Sequence, residues 1–307
     1  MTTVYVVPCG ISVFDELGTK MPVGGSPVRA FTHAVTNGNC LAGVCLDDGE
    51  AVTAKWAARA AARAEAAGLA RVAPKRLSAE THSLATRLRS RPLAPGEHVL
   101  LLASDTPLGV SAAFCVGQYL AGAGSGQVAY ISSPRTADDP FQLAVTRVPV
   151  TVVRVRGLKP DADLSTAAIG IGKVLRAAGD AGGRVEVHLT GGYKATLLHT
   201  LAMSEVLHSM WPGRVSAWNV FEDVADPSSD QPVQPQPIGL RTFPREYLTL
   251  MRSELTAVRD GSAGFGRTFQ GLGWDEEADG TRRLNAFGHG YLAVLGESPA
   301  ALGDDKS

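Results

Sequence analysis

The sequence predicts an α/β fold: a mostly parallel sheet with helices on both faces. Two observations predict it. Short apolar runs alternate with longer segments whose apolar residues recur at helical spacing. The short runs, such as Val99-Leu100-Leu101-Leu102-Ala103, show no alternation with polar residues, as a strand buried on both faces requires. A composition of 45% hydrophobic and 19% charged residues is that of an ordinary globular chain.

The elements follow in order. Val4-Tyr5-Val6-Val7-Pro8 is a β-branched first strand that runs into Cys9-Gly10-Ile11-Ser12. Residues 15–28 are rich in Gly and Pro and read as irregular. An alanine-rich helix is expected over 52–70, with Lys55, Arg59, Arg63 and Glu65 on a solvated face. A second helix spans 78–89 and ends before Arg91-Pro92. Strands at 99–103, 128–131, 148–155, 184–189 and 215–220 alternate with helices at 108–121, 164–178 and 197–211. This order defines a Rossmann-like sheet over residues 1–225. A Pro/Gln linker, 226–240, is expected to be extended and solvated. Beyond it, a helix at 244–259, an acidic turn at 275–280 and a helix at 286–295 make residues 241–307 either a small winged-helix-like unit or a packing or dimerisation appendage.

Charge and cysteines exclude several classes. A formal net charge of −1 provides no global field for nucleic acid. Cys9, Cys40, Cys45 and Cys115 contain no C-x-x-C pair, so no zinc site is expected. The chain enters its first strand directly, and no apolar run approaches the ~18 residues of a membrane span. A cytoplasmic protein with reduced thiols is the expectation. Neither G-x-G-x-x-G after the first strand nor G-x-x-x-x-G-K-[ST] is present, so no dinucleotide cofactor or P-loop is indicated, and no cofactor is expected.

Three strand ends carry small polar residues: Gly10-Ile11-Ser12, Ser104-Asp105-Thr106 and Thr190-Gly191-Gly192-Tyr193-Lys194. In a parallel sheet all three fall on the carboxyl edge, where such folds bind ligands. The glycines of the last motif free the backbone to turn into a helix whose first amides favour an anion, and Lys194 adds a cation. Either this is a phosphate cradle or it is an ordinary strand-to-helix turn with a solvated lysine.

Together the three motifs resemble the CRISPR-associated Rossmann fold (CARF) family, and within it the small proteins with a winged-helix-like tail. The late motif, Thr190 to Lys194, is similar to that family's Thr-Gly-Gly-Phe/Thr-Lys. Gly10-Ile11-Ser12-Val13-Phe14 stands where Gly-Thr-Ser-Leu-Leu is usual, so Ile11 removes a hydroxyl. Phe221-Glu222 resembles the segment that closes the family's domain, and 283–288 resembles the opening of its last helix.

The resemblance implies a homodimer that binds cyclic oligoadenylate, the messenger of type III CRISPR defence, across its two-fold axis. It also implies ring-nuclease activity. The family pattern makes Ser12 and Lys194 the catalytic pair, with Cys9, Gly10, Ile11, Ser104, Asp105, Thr106, Thr190, Gly191, Gly192 and Tyr193 binding the ligand. A cyclic tetra-adenylate, with its four phosphates and near two-fold symmetry, suits such a site. His188 lies within a strand and reads as a core residue, so no general base is evident. Arg283 and His289 have roughly the spacing of a HEPN ribonuclease pair, but the tail is short for that bundle. DNA binding through the tail, as a ring-gated transcriptional regulator, is the alternative.

Overall fold

The chain was analysed as a computed structural model that describes residues 2–11, 13, 78–122, 128–136, 141, 143, 148–159, 162–192, 194–220, 235–262 and 266–296. The expected helix over 52–70, the irregular 15–28, Cys40, Cys45, Ser12, Tyr193, Phe221 and Glu222 lie outside the described residues. Elements below are numbered in chain order among those described.

Seven strands form one sheet in the order β3-β4-β2-β1-β5-β6-β7. They are β1 (Thr3–Cys9), β2 (Glu97–Ala103), β3 (Val128–Ser132), β4 (Val150–Arg154), β5 (Arg184–His188), β6 (Val215–Asn219) and β7 (Gln236–Ile238). All pair in parallel except β7, which runs antiparallel to β6. The expected mostly parallel α/β sheet is therefore present. β7 is a difference from the sequence reading, which placed these residues in the solvated linker. Pro237 sits opposite Trp218 in the outermost strand, the one place where a missing N–H costs the ladder nothing.

The apolar runs divide between the two faces by strand alternation. Val4 and Val6 of β1 join Leu100, Leu102, Val185 and Val187 on one face. There they meet α3 (Leu164–Asp180) and α4 (Lys194–Met210) through Ile171, Leu175, Met203 and Leu207. Tyr5, Val7 and Cys9 join Val99, Leu101 and Val152 on the other face. They are covered by α1 (Ala79–Arg87) and α2 (Pro107–Ala121) through Leu84, Val110, Phe114 and Val116. Helix starts are set by polar caps. The Ser78 hydroxyl accepts from Thr81 N at 3.2 Å, and the Thr81 hydroxyl accepts from Ser78 N at 3.1 Å. Thr106 caps α2 by accepting from Gly109 N at 3.0 Å.

The C-terminal residues form α5 (Arg245–Arg259), a hairpin of β8 (Trp274–Glu276) and β9 (Arg282–Leu284), and α6 (Ala286–Leu295). Their apolar side chains belong to the same core as the α3–α4 face: Leu248, Met251, Leu255, Phe269, Trp274, Val294 and Leu295 are continuous with it. α6 packs closely on α3. A Cβ on Gly172 would lie 2.6 Å from the Gly290 carbonyl oxygen, so only glycine permits this approach. Arg241 fastens the chain after β7 to the buried Glu205 carboxylate of α4, its Nε donating to the two oxygens at 2.8 and 2.9 Å and its Nη2 also donating to Oε2.

The face of β5 under α1 is polar. Glu186 and His188 alternate along the strand, with Thr190 just past its end. Glu80, Ser83 and Arg87 stand opposite them at helical spacing. Arg87 grips Glu186 with two bonds of 2.7 and 2.8 Å, and its guanidinium lies 4.6 Å over the Trp218 ring. The second expected helix thus covers β1 and β5.

Candidate functional site

From β1 the chain passes to β2, skips to the edge strand β3, returns to β4 between them, and then crosses through α3 to place β5 on the other side of β1. The carboxyl ends of β1 and β5 flank this switch point, where open α/β sheets form their crevice. Two of the three sequence motifs meet there. A Cβ on Gly10 would sit 3.3 Å from Gly192 N, so the first and last motifs touch through their backbones. Gly192 takes a φ of +98°, and a Cβ on it would lie 2.8 Å from the Pro8 Cβ. Both the turn and the approach exclude any other residue. The third motif is one strand away, because Ala103 pairs with Cys9 and Ser104 follows it.

The turn delivers Lys194 as the first residue of α4, exposed to solvent. The helix begins three residues earlier than its apolar periodicity indicates, so the cation stands at the positive end of the helix. Ile11 of the first motif is 45% exposed, and Leu198, one turn beyond Lys194, is 64% exposed.

Several expected ligand residues have their side chains engaged in the fold. Asp105 forms an ion pair with Arg154 and accepts from Gly157 N at 2.9 Å. The Ser104 and Thr106 hydroxyls lie 3.0 Å apart, and Thr106 is the α2 cap. The Cys9 side chain points into the core under α1 and α2. Burial, then the Glu80 carboxylate and Cys115, raise its thiol well above the usual range, so it is no nucleophile at neutral pH.

Thr190 belongs to a buried relay. Its hydroxyl donates to Ser83 Oγ at 3.1 Å and accepts from Val220 N at 2.9 Å. Ser83 Oγ is hydrogen-bonded to His188 Nδ1 at 2.7 Å, and the ring's Nε2 is buried without a hydrogen-bond partner among the described residues. His188 is fully buried, as expected for a core residue. Burial, and secondarily Arg87, lower it to about 3.

Stability should therefore fall in acid. Below about pH 6.5 the unfolded chain binds a proton that the folded chain refuses until about 3, so stability drops as pH falls through that window, by roughly 1.4 kcal/mol per pH unit. Above it the group adds no slope. Urea midpoints measured between about pH 6 and pH 4 should show a slope shallower by about one proton in His188→Asn than in the parent. Equal slopes would contradict the buried neutral ring.

One residue at the switch point was not singled out from sequence. Glu80 of α1 is 1% exposed and accepts from Gly10 N at 2.7 Å through Oε1. Its Oε2 is buried without a hydrogen-bond partner among the described residues. Its signal in the sequence is faint: an acid two residues after the Ser78 cap, where a carboxylate ordinarily serves the helix dipole in solvent.

Among the described residues no group of three or more His, Cys, Asp or Glu side chains is arranged to hold a metal ion. No helix among them is long and apolar enough to cross a membrane. No protein-family model matches the chain, and no curated protein shows significant similarity to it.

Proposed function

We propose that the protein binds cyclic oligoadenylate, with cyclic tetra-adenylate the best symmetry match, and cleaves it without a metal. The observation that carries this reading is the meeting of Gly10 with Gly191-Gly192 at the switch point, with Lys194 presented at the start of α4. That arrangement offers backbone amides, a helix N-terminus and a cation to a phosphate. The motifs that meet are the two in which the resemblance to the CARF family places the catalytic serine and lysine. In the reaction the ribose 2′-oxygen attacks the adjacent phosphorus in line, and the 5′-oxygen leaves. The product is a linear oligoadenylate with a 2′,3′-cyclic phosphate. Lys194 stabilises the charge that grows on the phosphate, and Ser12 orients it.

A homodimer, each copy contributing the same loops to one ring, follows from ligand symmetry. Ile11 and Leu198, both exposed, supply apolar surface for such a contact. The alternative is a ring-gated DNA-binding regulator that uses a winged-helix-like tail. Two observations favour cleavage over that reading. Residues 290–295 of α6 are buried, so α6 is not free to enter a groove. The hairpin of β8 and β9 carries Asp275, Glu276, Glu277 and Asp279, which repel phosphates.

Incubation of the purified chain with end-traceable cyclic tetra-adenylate in EDTA tests the reading. Linear product ending in a cyclic phosphate is expected. Intact ring after prolonged incubation, despite binding, would reduce the protein to a sensor.

A further inference from the structure

We propose that Glu80 is a positioning residue that locks the two catalytic motifs to each other. The inference rests on the ring-cleavage reading above and adds to it a residue from a different part of the chain. Glu80 Oε1 holds Gly10 N at 2.7 Å, two residues before Ser12. The same carboxylate packs against Gly191, three residues before Lys194: a Cβ there would collide with Oε1 and lie 2.6 Å from Cδ and 2.9 Å from Cγ. One side chain therefore fixes the spacing between the loop that bears the hydroxyl and the turn that bears the ammonium.

Its burial argues for the same role. A carboxylate that is 1% exposed, has one hydrogen bond and leaves its second oxygen without a partner among the described residues is costly to keep. A cap that served only the helix dipole would sit in solvent. The rest of α1 is anchored independently, through Ser83 on His188 and Arg87 on Glu186. Glu80 can thus be altered without releasing the helix from β5. In-line attack is sensitive to small misplacement of the reacting groups, so loosening this joint acts on turnover more than on binding.

The test is cleavage and binding of cyclic tetra-adenylate by the full chain and three variants. Glu80→Ala should lower single-turnover cleavage about 100-fold while the ring dissociation constant changes by less than about 3-fold. Glu80→Gln keeps an acceptor for Gly10 N and the same volume, and should restore cleavage to within about 5-fold of the parent. Gly191→Ala should mimic Glu80→Ala, because its methyl group expels the carboxylate. In the Glu80→Ala background the same Gly191→Ala change should add little to either the cleavage loss or the fall in melting temperature, since the space is then empty.

Glu80→Ala cutting at the parental rate, Glu80→Gln failing as badly as Glu80→Ala, or additive effects of the two changes would each overturn the assignment. A parent chain that does not bind the ring defeats the ring reading itself, and Glu80's role in cleavage with it. The melting-temperature cycle still decides in that case whether the joint exists.

Discussion

Replacement of Lys194 by alanine is expected to lower ring cleavage by roughly 10²-fold to 10³-fold, the usual loss when one preorganised donor to a developing oxyanion is removed. Lys194 is exposed at the first residue of α4, so in the ground state its attraction for a phosphate is screened by water. Binding should therefore weaken by only about 10-fold, equivalent to about 1.4 kcal/mol. The asymmetry arises because charge on the phosphate grows as the 2′-oxygen attacks, and the ammonium interacts more strongly with the transition state than with the bound ring. Single-turnover rates and direct binding measured on the same preparation check both numbers. Because α4 starts with an exposed residue here, the substitution should leave the melting temperature unchanged. Parental cleavage by Lys194→Ala would remove the lysine from the site.

The second large effect concerns stability. Glu254 of α5 is 1% exposed and accepts three hydrogen bonds: from Phe269 N at 2.8 Å, Trp274 Nε1 at 2.8 Å and Thr268 N at 3.1 Å. These bonds hold the loop before β8 and place the fully buried Phe269 and Trp274 into the core shared with α3 and α4. Glu254→Ala leaves those donors buried without an acceptor and should cost about 3–5 kcal/mol. Denaturant unfolding followed by tryptophan fluorescence reads the loss directly. If the C-terminal elements were an appendage with a separate core, the variant would show a distinct low-denaturant transition of the tail alone. A shared core predicts one transition shifted as a whole. A midpoint unchanged by Glu254→Ala would contradict the role assigned to the carboxylate.

The parallel sheet was legible because burial on both faces leaves a plain mark, the apolar run at 99–103 and the Val-rich run at 150–153. The meeting of Gly10 with Gly191-Gly192 was legible only as two motifs on one edge. Their contact depends on strand order, and β1 and β5 are far apart in the chain. β7 was hidden because Pro237 and the surrounding Pro and Gln residues mark extended solvated chain. Those residues are also compatible with an antiparallel edge strand.

The polar interface of α1 was hidden for another reason. Glu80, Ser83 and Arg87 are residue types that normally face water on a helix. The signal that could have found them lies in β5. Glu186 and His188 fall on one face of a strand that parallel pairing buries on both sides, and a buried Glu and His require partners. The helix that supplies them had to come from a stretch without an assigned role. The tail's share in the core was likewise marked only by Gly288 and Gly290, small residues in a helix otherwise rich in large apolar ones.

The dimeric ring-binding reading is decided by titration of the purified chain with cyclic tetra-adenylate in EDTA, followed calorimetrically in a slowly cleaving Lys194→Ala background and in the parent. Saturation is expected at one ring per two chains, with a dissociation constant at or below micromolar. No heat and no binding at micromolar protein, or saturation at one ring per chain, would contradict it.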